Sequence, residues 1–360
     1  MRRTRPFRAV QLIGLLAAMA WLGMIGEPAA AKLLPGGSAD KPTATTSTTA
    51  VRKTQRAAKA VARTRSTASA ARRRELQEAQ KPRFKVDENG VLVPDVRAEA
   101  AIVYNPETGK VLWEENSQST RSIASITKVM TASVFLEGDP DLSQQVVVER
   151  ADVRNASTTH LRAGYKVTVD DLLHLLLIAS DNAAARVLAR VSPFGSEGFI
   201  NRMNAKAAEL GLEKTTYADP SGLFAANVSS AYDLARLIAY VSTDDRIASI
   251  MRTPYFSFLV GRRTVQVHST NQLVMKGDVD VEAGKTGFIR SAGYCLATLL
   301  RLPEGSPVAV VILGAKSNAG RFWETRHLFN WLSTQGSDWL GATTTAAAAV
   351  ATAATAVVAP

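Results

Sequence analysis

Apolar positions along the chain switch between two periods, and the switches lay out a fold. Ala101-Ile-Val-Tyr104 and Val111-Leu-Trp113 read as short strands, and Asn105-Pro-Glu-Thr-Gly109 between them supplies turn residues, so the pair predicts a hairpin. Ile126, Val129, Met130 and Val134 then fall at helical spacing. A strongly apolar helix is predicted through Leu172 to Ile178, ending at Ser180. Asp170 and Asp171 lie in its first turn, where acidic side chains suit the positive end of the dipole. Further helices read at Gly198 to Leu210, closed by Gly211, and at Ala231 to Val241, after serines able to cap it. Strand patterns return at Thr264 to His268, Val281 to Ile289, Gly293 to Leu300 and Pro307 to Leu313, before a last helix at Arg321 to Ser333. Strands at both ends with helices between them predict an α+β fold: an antiparallel sheet assembled from distant parts of the chain, flanked by helices, with a helical subdomain. The functional site is expected where sheet and helices meet.

The ends follow other patterns. Arg2, Arg3, Arg5 and Arg8 precede Val10 to Ile25, which is apolar or glycine apart from Gln11, and Ala29-Ala-Ala31 follows. This predicts a secretory signal peptide over residues 1–31, cut before Lys32. The alternative is an uncleaved anchor, for which the apolar run is shorter than the ~20 residues a span requires. Without a cysteine near the cut, a lipoprotein anchor is excluded. Residues 32–91 are rich in Thr, Ala, Ser, Arg and Lys with few large apolar side chains, the composition of a mobile tether.

Residues 1–85 carry 18 Lys and Arg against 4 Asp and Glu, a net of +14, which leaves 25 against 28, a net of −3, for the remainder. The overall +11 is therefore a property of the leader and tether, not of the folded domain expected over residues 92–336. Two readings of the tether stay open: a solvated spacer, or a segment that contacts anionic wall polymers or membrane head groups. Nothing points to nucleic acid, which would need base readers clustered on a folded face. Residues 337–360 are Thr, Ala and Val with no amphipathic stripe, and read as a disordered tail.

Most kinds of chemistry lack their residues. The single Cys295 allows no intramolecular disulfide and reads as a small core side chain. The four histidines have no metal-binding spacing, and no glycine-rich phosphate loop is present. Serine chemistry remains. Ser125 and Lys128, three residues apart in a helical stretch, share one face, and a lysine held beside a serine in a desolvated pocket loses its proton and can take the serine's. Ser-x-x-Lys is common by chance, but here Ser180-Asp181-Asn182 and Lys285-Thr286-Gly287 follow it in order. That ordered set is the signature of penicillin-binding proteins and class A β-lactamases.

With these motifs, Ala-Ser-Ile-Thr-Lys-Val-Met-Thr-Ala (124–132), Thr-Tyr-Ala-Asp-Pro-Ser-Gly-Leu (216–223) and Lys-Thr-Gly-Phe-Ile-Arg-Ser-Ala-Gly-Tyr (285–294) make residues 95–335 resemble a low-molecular-mass penicillin-binding protein of the D-alanyl-D-alanine carboxypeptidase family. His268-Ser-Thr-Asn-Gln-Leu-Val274 resembles its D-alanyl-D-alanine endopeptidase branch. The resemblance implies a DD-peptidase and β-lactamase-like transpeptidase fold, and an exported, periplasmic, penicillin-sensitive enzyme that needs no metal or organic cofactor. Its partners would be peptidoglycan stem peptides, with β-lactams as covalent inhibitors.

In that reading Ser125 is the nucleophile and Lys128 its general base. Ser180 relays a proton to the leaving amine, and Asn182 bonds the substrate peptide. Lys285 sets the electrostatics of Ser180, and Thr286 bonds the substrate carboxylate. Gly287 lets substrate lie against the strand edge, and the backbone N–H groups of Ser125 and Phe288 form the oxyanion hole. Arg321 either meets the terminal carboxylate or is a solvated arginine at a helix start. Cleavage of D-alanyl-diaminopimelate cross-links is the favoured activity, with D-alanyl-D-alanine carboxypeptidase activity as the alternative. Remoter rivals are a β-lactamase, which would need a deacylating glutamate where no Glu-x-x-Leu-Asn is found, and a non-catalytic wall-binding protein.

Overall fold

The computed structural model describes residues 77–334 apart from Ala79. The expected signal peptide, most of the tether and the tail lie outside the described residues. One boundary is corrected. The last stretch of the expected tether is folded: Phe84–Val86 pairs antiparallel with Leu92–Pro94, and the Asp87 carboxylate closes the turn by accepting from the N–H groups of Asn89 and Val91. His327 Nε2, 2.8 Å from the Arg83 carbonyl, and Glu324, which accepts the Arg97 N–H, tie this strap to the last helix. Its strands expose most of their side chains, so composition alone resembles that of a tether.

The centre of the fold is a five-stranded sheet. In chain order its strands are β1 (Ala100–Asn105), β2 (Lys110–Glu115), β3 (Asp280–Ile289), β4 (Gly293–Arg301) and β5 (Pro307–Ala315), and in space they run β3-β4-β5-β1-β2, every pair antiparallel. The two ends of the domain thus meet at β5 and β1. β5 is buried on both faces, which is why Val308 to Leu313 is an unbroken apolar run rather than an alternation. β3 forms one edge, with its outer side turned towards the helices.

Helices cover both faces. On one lie α1 (Thr127–Leu136), α2 (Val169–Leu177), α3 (Asn182–Val191), α4 (Gly195–Glu209) and α5 (Ala231–Val241), packed around Leu172, Leu176, Leu188, Phe199 and Ile238. On the other, a helix over residues 318–334 sets Phe322, Leu328, Phe329 and Leu332 against Val103, Leu296, Val310 and Ile312. The start signals read from sequence work locally: Thr168 caps α2 by accepting the Asp171 N–H, and Ser230 caps α5 by accepting that of Asp233.

Two further expectations change. Thr264–His268 does not join the sheet but pairs with Tyr255–Val260 in a separate hairpin. Helices α3, Asp245–Met251 and Gln272–Lys276 were not read from sequence. α3 begins inside the Ser180-Asp181-Asn182 motif, and its run of alanines packs through small side chains that carry little hydrophobic pattern.

Candidate active site

Three pieces of backbone converge between the sheet edge and the helices. Ser125 lies on a single 3-10 turn, Ala124–Ile126, that leads directly into α1, and Lys128 is in the first turn of α1. Ala124 is held at φ 49° and Ser180, after α2, at φ 59°. Non-glycine residues rarely adopt this region, at a cost of roughly 1–2 kcal/mol each, so the surrounding packing must hold both in place. The turn is also a point of close chain approach. A Cβ on Gly222 would stand 2.0 Å from the Ala124 carbonyl oxygen, and one on Gly287 would stand 2.6 Å from that of Ile123 and 3.2 Å from Ser125 N. The missing side chain of Gly287 therefore makes room for the serine turn, and the same residue lines the cavity beside it.

Lys128 is completely buried and stands at the centre of the cluster. Its Nζ is 2.9 Å from Ser125 Oγ, 2.6 Å from Asn182 Oδ1 and 2.5 Å from the Ser221 carbonyl oxygen. Burial pulls its pKa down from 10.5 to about 7, with Arg186 pushing the same way and the carboxylates of Asp219 and Asp181 opposing. Asn182 Oδ1 and the Ser221 carbonyl can only accept, so they take both N–H groups of the neutral amine. Its lone pair is left for the hydroxyl proton of Ser125. Asn182 Nδ2 donates to the Ala156 carbonyl at 2.7 Å, which fixes the orientation of the amide.

A second lysine faces the other serine. Lys285 Nζ donates to Ser180 Oγ at 2.8 Å and to the Thr286 carbonyl at 2.9 Å. Burial, then the charges of Lys128 and Arg321, hold its pKa well below the usual lysine range. Asp181 turns away from the cavity: it caps α3 through the Ala184 N–H and clamps the loop before it through the His160 N–H. Thr286 shares a hydroxyl contact of 2.6 Å with Thr270, a residue that sequence reading missed because it lies outside the three motifs.

Arg321 is not a solvated helix-start residue; it is 6% exposed. Its guanidinium donates to the carbonyls of Gly287 at 2.9 Å and Cys295 at 3.0 Å, and to Asn318 Oδ1, while burial lowers its pKa to about 10. It braces β3 against β4 from behind and also reaches the cavity wall. Cys295 is buried in β4.

These groups surround a cavity of ≈ 400 Å³ lined by Ser125, Ser180, Asn182, Thr270, Thr286 and Gly287, and also by Phe288, Arg290 and Arg321. Among the described residues no carboxylate lines it. Its two arginines suit a ligand that carries a carboxylate.

A serine paired with a buried lysine, at the junction of an antiparallel sheet and a helical subdomain, is the arrangement of an acyl-transfer enzyme of the penicillin-binding fold. The comparisons agree. The chain matches the family described as D-alanyl-D-alanine carboxypeptidase over residues 87–317, and it belongs to that family as a serine DD-peptidase. It is 34% identical over 248 residues to the D-alanyl-D-alanine endopeptidase of Pseudomonas aeruginosa, covering 68% of this chain and 79% of that one. Its identity to the D-alanyl-D-alanine endopeptidase of Escherichia coli K12 is 31% over 245 residues, or 67% and 79% of the two chains. The crystal structure of the Streptomyces K15 DD-transpeptidase superposes with a TM-score of 0.63 at 28% identity, covering 67% of this chain and 98% of that one.

Proposed function

We propose that the protein is an exported endopeptidase that cleaves D-alanyl-diaminopimelate cross-links between peptidoglycan stem peptides through an acyl-enzyme on Ser125. The observation that carries this reading is the Ser125–Lys128 pair, with the lysine's lone pair free for one proton, beside a cationic cavity without a carboxylate. Lys128 takes the hydroxyl proton as Ser125 Oγ attacks the D-alanine carbonyl. Oxygen charge develops against the backbone N–H groups of Ser125 and Phe288. Ser180, held by Lys285, passes its proton to the departing amine and is resupplied by the proton Lys128 took from Ser125, which leaves Lys128 neutral again. The free Nδ2 hydrogen of Asn182 meets the substrate peptide. Thr286 takes the carboxylate beside the scissile bond, with Arg321 adding positive charge behind it.

The amine leaves with the proton it received; water then adds to the acyl carbon as neutral Lys128 takes one of its protons, and Lys128 returns that proton to Ser125 Oγ as the ester bond breaks. The two endopeptidase relatives support the preference for cross-links, and the apolar leader supports export. In a β-lactam the departing amine stays tethered to the acyl group and keeps water out of the place a peptide amine would vacate. Among the described residues no carboxylate lines the cavity to activate water from elsewhere, so a penicilloyl group on Ser125 stays attached. Intact-mass measurement after benzylpenicillin should show a persistent adduct that Ser125→Ala abolishes, and cross-linked muropeptide dimers should be converted to monomers. Loss of terminal D-alanine alone would make the enzyme a carboxypeptidase, and rapid turnover of nitrocefin would make it a β-lactamase.

A further inference from the structure

Beside the cavity stands an element that the chemistry above does not use: the hairpin of Tyr255–Val260 and Arg263–His268. Its register pairs Tyr255 with His268, Ser257 with Gln266 and Leu259 with Thr264. Side chains two apart on a strand, and those directly opposite, share a face. All six of these residues are exposed, Tyr255 at 67% and Leu259 at 65%. The opposite face is the packed one: Phe258 and Val267 are buried, and Phe256 stacks on His174 of α2 with ring centroids 4.1 Å apart. The hairpin is therefore seated on the helical subdomain with one face left open.

The open face leads into the cavity. The pairing continues past His268, where the Ser269 N–H donates to the Pro254 carbonyl at 2.8 Å. Ser269 is buried, and Thr270, next on the outward alternation, lines the cavity and touches Thr286. Thr286 is the hydroxyl assigned to the carboxylate beside the scissile bond, and that carboxylate belongs to the departing residue. The hairpin thus lies on the departing side. From His268 to Arg263 the strand spans five residue steps, about 17 Å at the usual rise. At the far end Arg262 and Arg263 are exposed and make no ion pair among the described residues.

We propose that this open face is the seat of the departing stem peptide, the second strand of a cross-linked substrate. It would make the hairpin the element that separates cleavage of a cross-link from removal of a single D-alanine. A stem peptide carries free carboxylates at its glutamyl residue and its terminus, which suit Arg262 and Arg263. Its peptide groups suit Ser257, Gln266 and His268, and its methyl and methylene groups suit Tyr255 and Leu259. The inference rests on the endopeptidase reading through the placement of Thr286, and binding to an inert enzyme tests it separately from catalysis.

In the Ser125→Ala protein, calorimetric titration with a purified muropeptide dimer should give tighter binding than with the corresponding monomeric pentapeptide. Adding Tyr255→Ala, or Arg262→Glu with Arg263→Glu, should weaken dimer binding about tenfold, the loss expected from removing an anchor side chain or a complementary charge. Monomer binding should stay within about twofold. Equal affinity for dimer and monomer, or a dimer preference that survives both sets of substitutions, would overturn the inference. The hairpin substitutions in the Ser125-containing enzyme should leave the rate of benzylpenicillin acylation unchanged; a matching drop in that rate would show damage to the site and count against it. Failure of the unsubstituted enzyme to cleave dimers would refute the endopeptidase reading, whereas the binding comparison bears on the hairpin alone.

Discussion

In the proposed mechanism the protonation state of Lys128 sets the rate of acylation, and its burial predicts how that rate depends on pH. With a pKa of about 7, the amine is roughly one-tenth neutral at pH 6, half at pH 7 and nine-tenths at pH 8, so acylation should rise about tenfold across that range. An exposed lysine near 10.5 would be neutral in less than about one part in a thousand at pH 7; burial therefore increases the competent fraction on the order of a thousandfold. The depression from 10.5 to about 7 corresponds to about 5 kcal/mol of preference for the neutral form. The same displacement enters stability. Between about 7 and 10.5 the unfolded chain holds a proton that folded Lys128 has released, so stability rises with pH across this window and carries the full burial cost below it. Lys285 is displaced in the same direction and adds to the slope.

The assay is stopped-flow or quench acylation by benzylpenicillin from pH 5.5 to 9, with intact mass as the endpoint. Lys128→Met should abolish acylation and reduce the rise of stability above neutrality to the part that Lys285 contributes. An acylation profile that is flat between pH 6 and 8, or one with its midpoint near 10, would refute the argument that Lys128 acts as a buried neutral base.

Two substitutions test the packing behind the site. Gly287→Ala sets a Cβ against the Ile123 carbonyl and the Ser125 N–H. It should cost about 1–3 kcal/mol and slow acylation about a hundredfold by displacing the serine turn; an unchanged melting temperature and rate would show that the strand and turn adjust freely. Arg321→Met removes the donors to the Gly287 and Cys295 carbonyls and should lower stability by about 2–4 kcal/mol, read by thermal denaturation. A variant with full stability that had lost only substrate binding would assign Arg321 to the ligand alone.

Much of the fold was legible because periodicity survives wherever one face of an element is buried. The β1–β2 hairpin, α2, α5 and the β4–β5 pair follow from alternation, turn residues and caps. Elsewhere the pattern failed for identifiable reasons. In α3 the alanine run and the motif at its start concealed the helix. The strap at residues 84–94 exposes most of its side chains. The strand at Arg263–His268 looks like any sheet strand, and only its pairing with Tyr255–Val260 places it outside the sheet.

Within the site, the chain alone determined which residue types stand in which order: a serine and a lysine three apart, then Ser180, Asn182, Lys285 and Thr286. This order suffices for the class of enzyme, because the chemistry demands those groups and few other arrangements supply them. What each group can do was decided by tertiary structure. A lysine's pKa depends on the water it loses and the charges it meets, and Lys128 meets Asn182, Ser221, Asp219 and Asp181 only when distant segments close around it. The tertiary fold likewise showed that Gly287 also makes room for the serine turn, and it removed the solvated alternative for Arg321, which is a buried brace at the cavity wall, because close approach between distant backbones leaves no mark on local sequence.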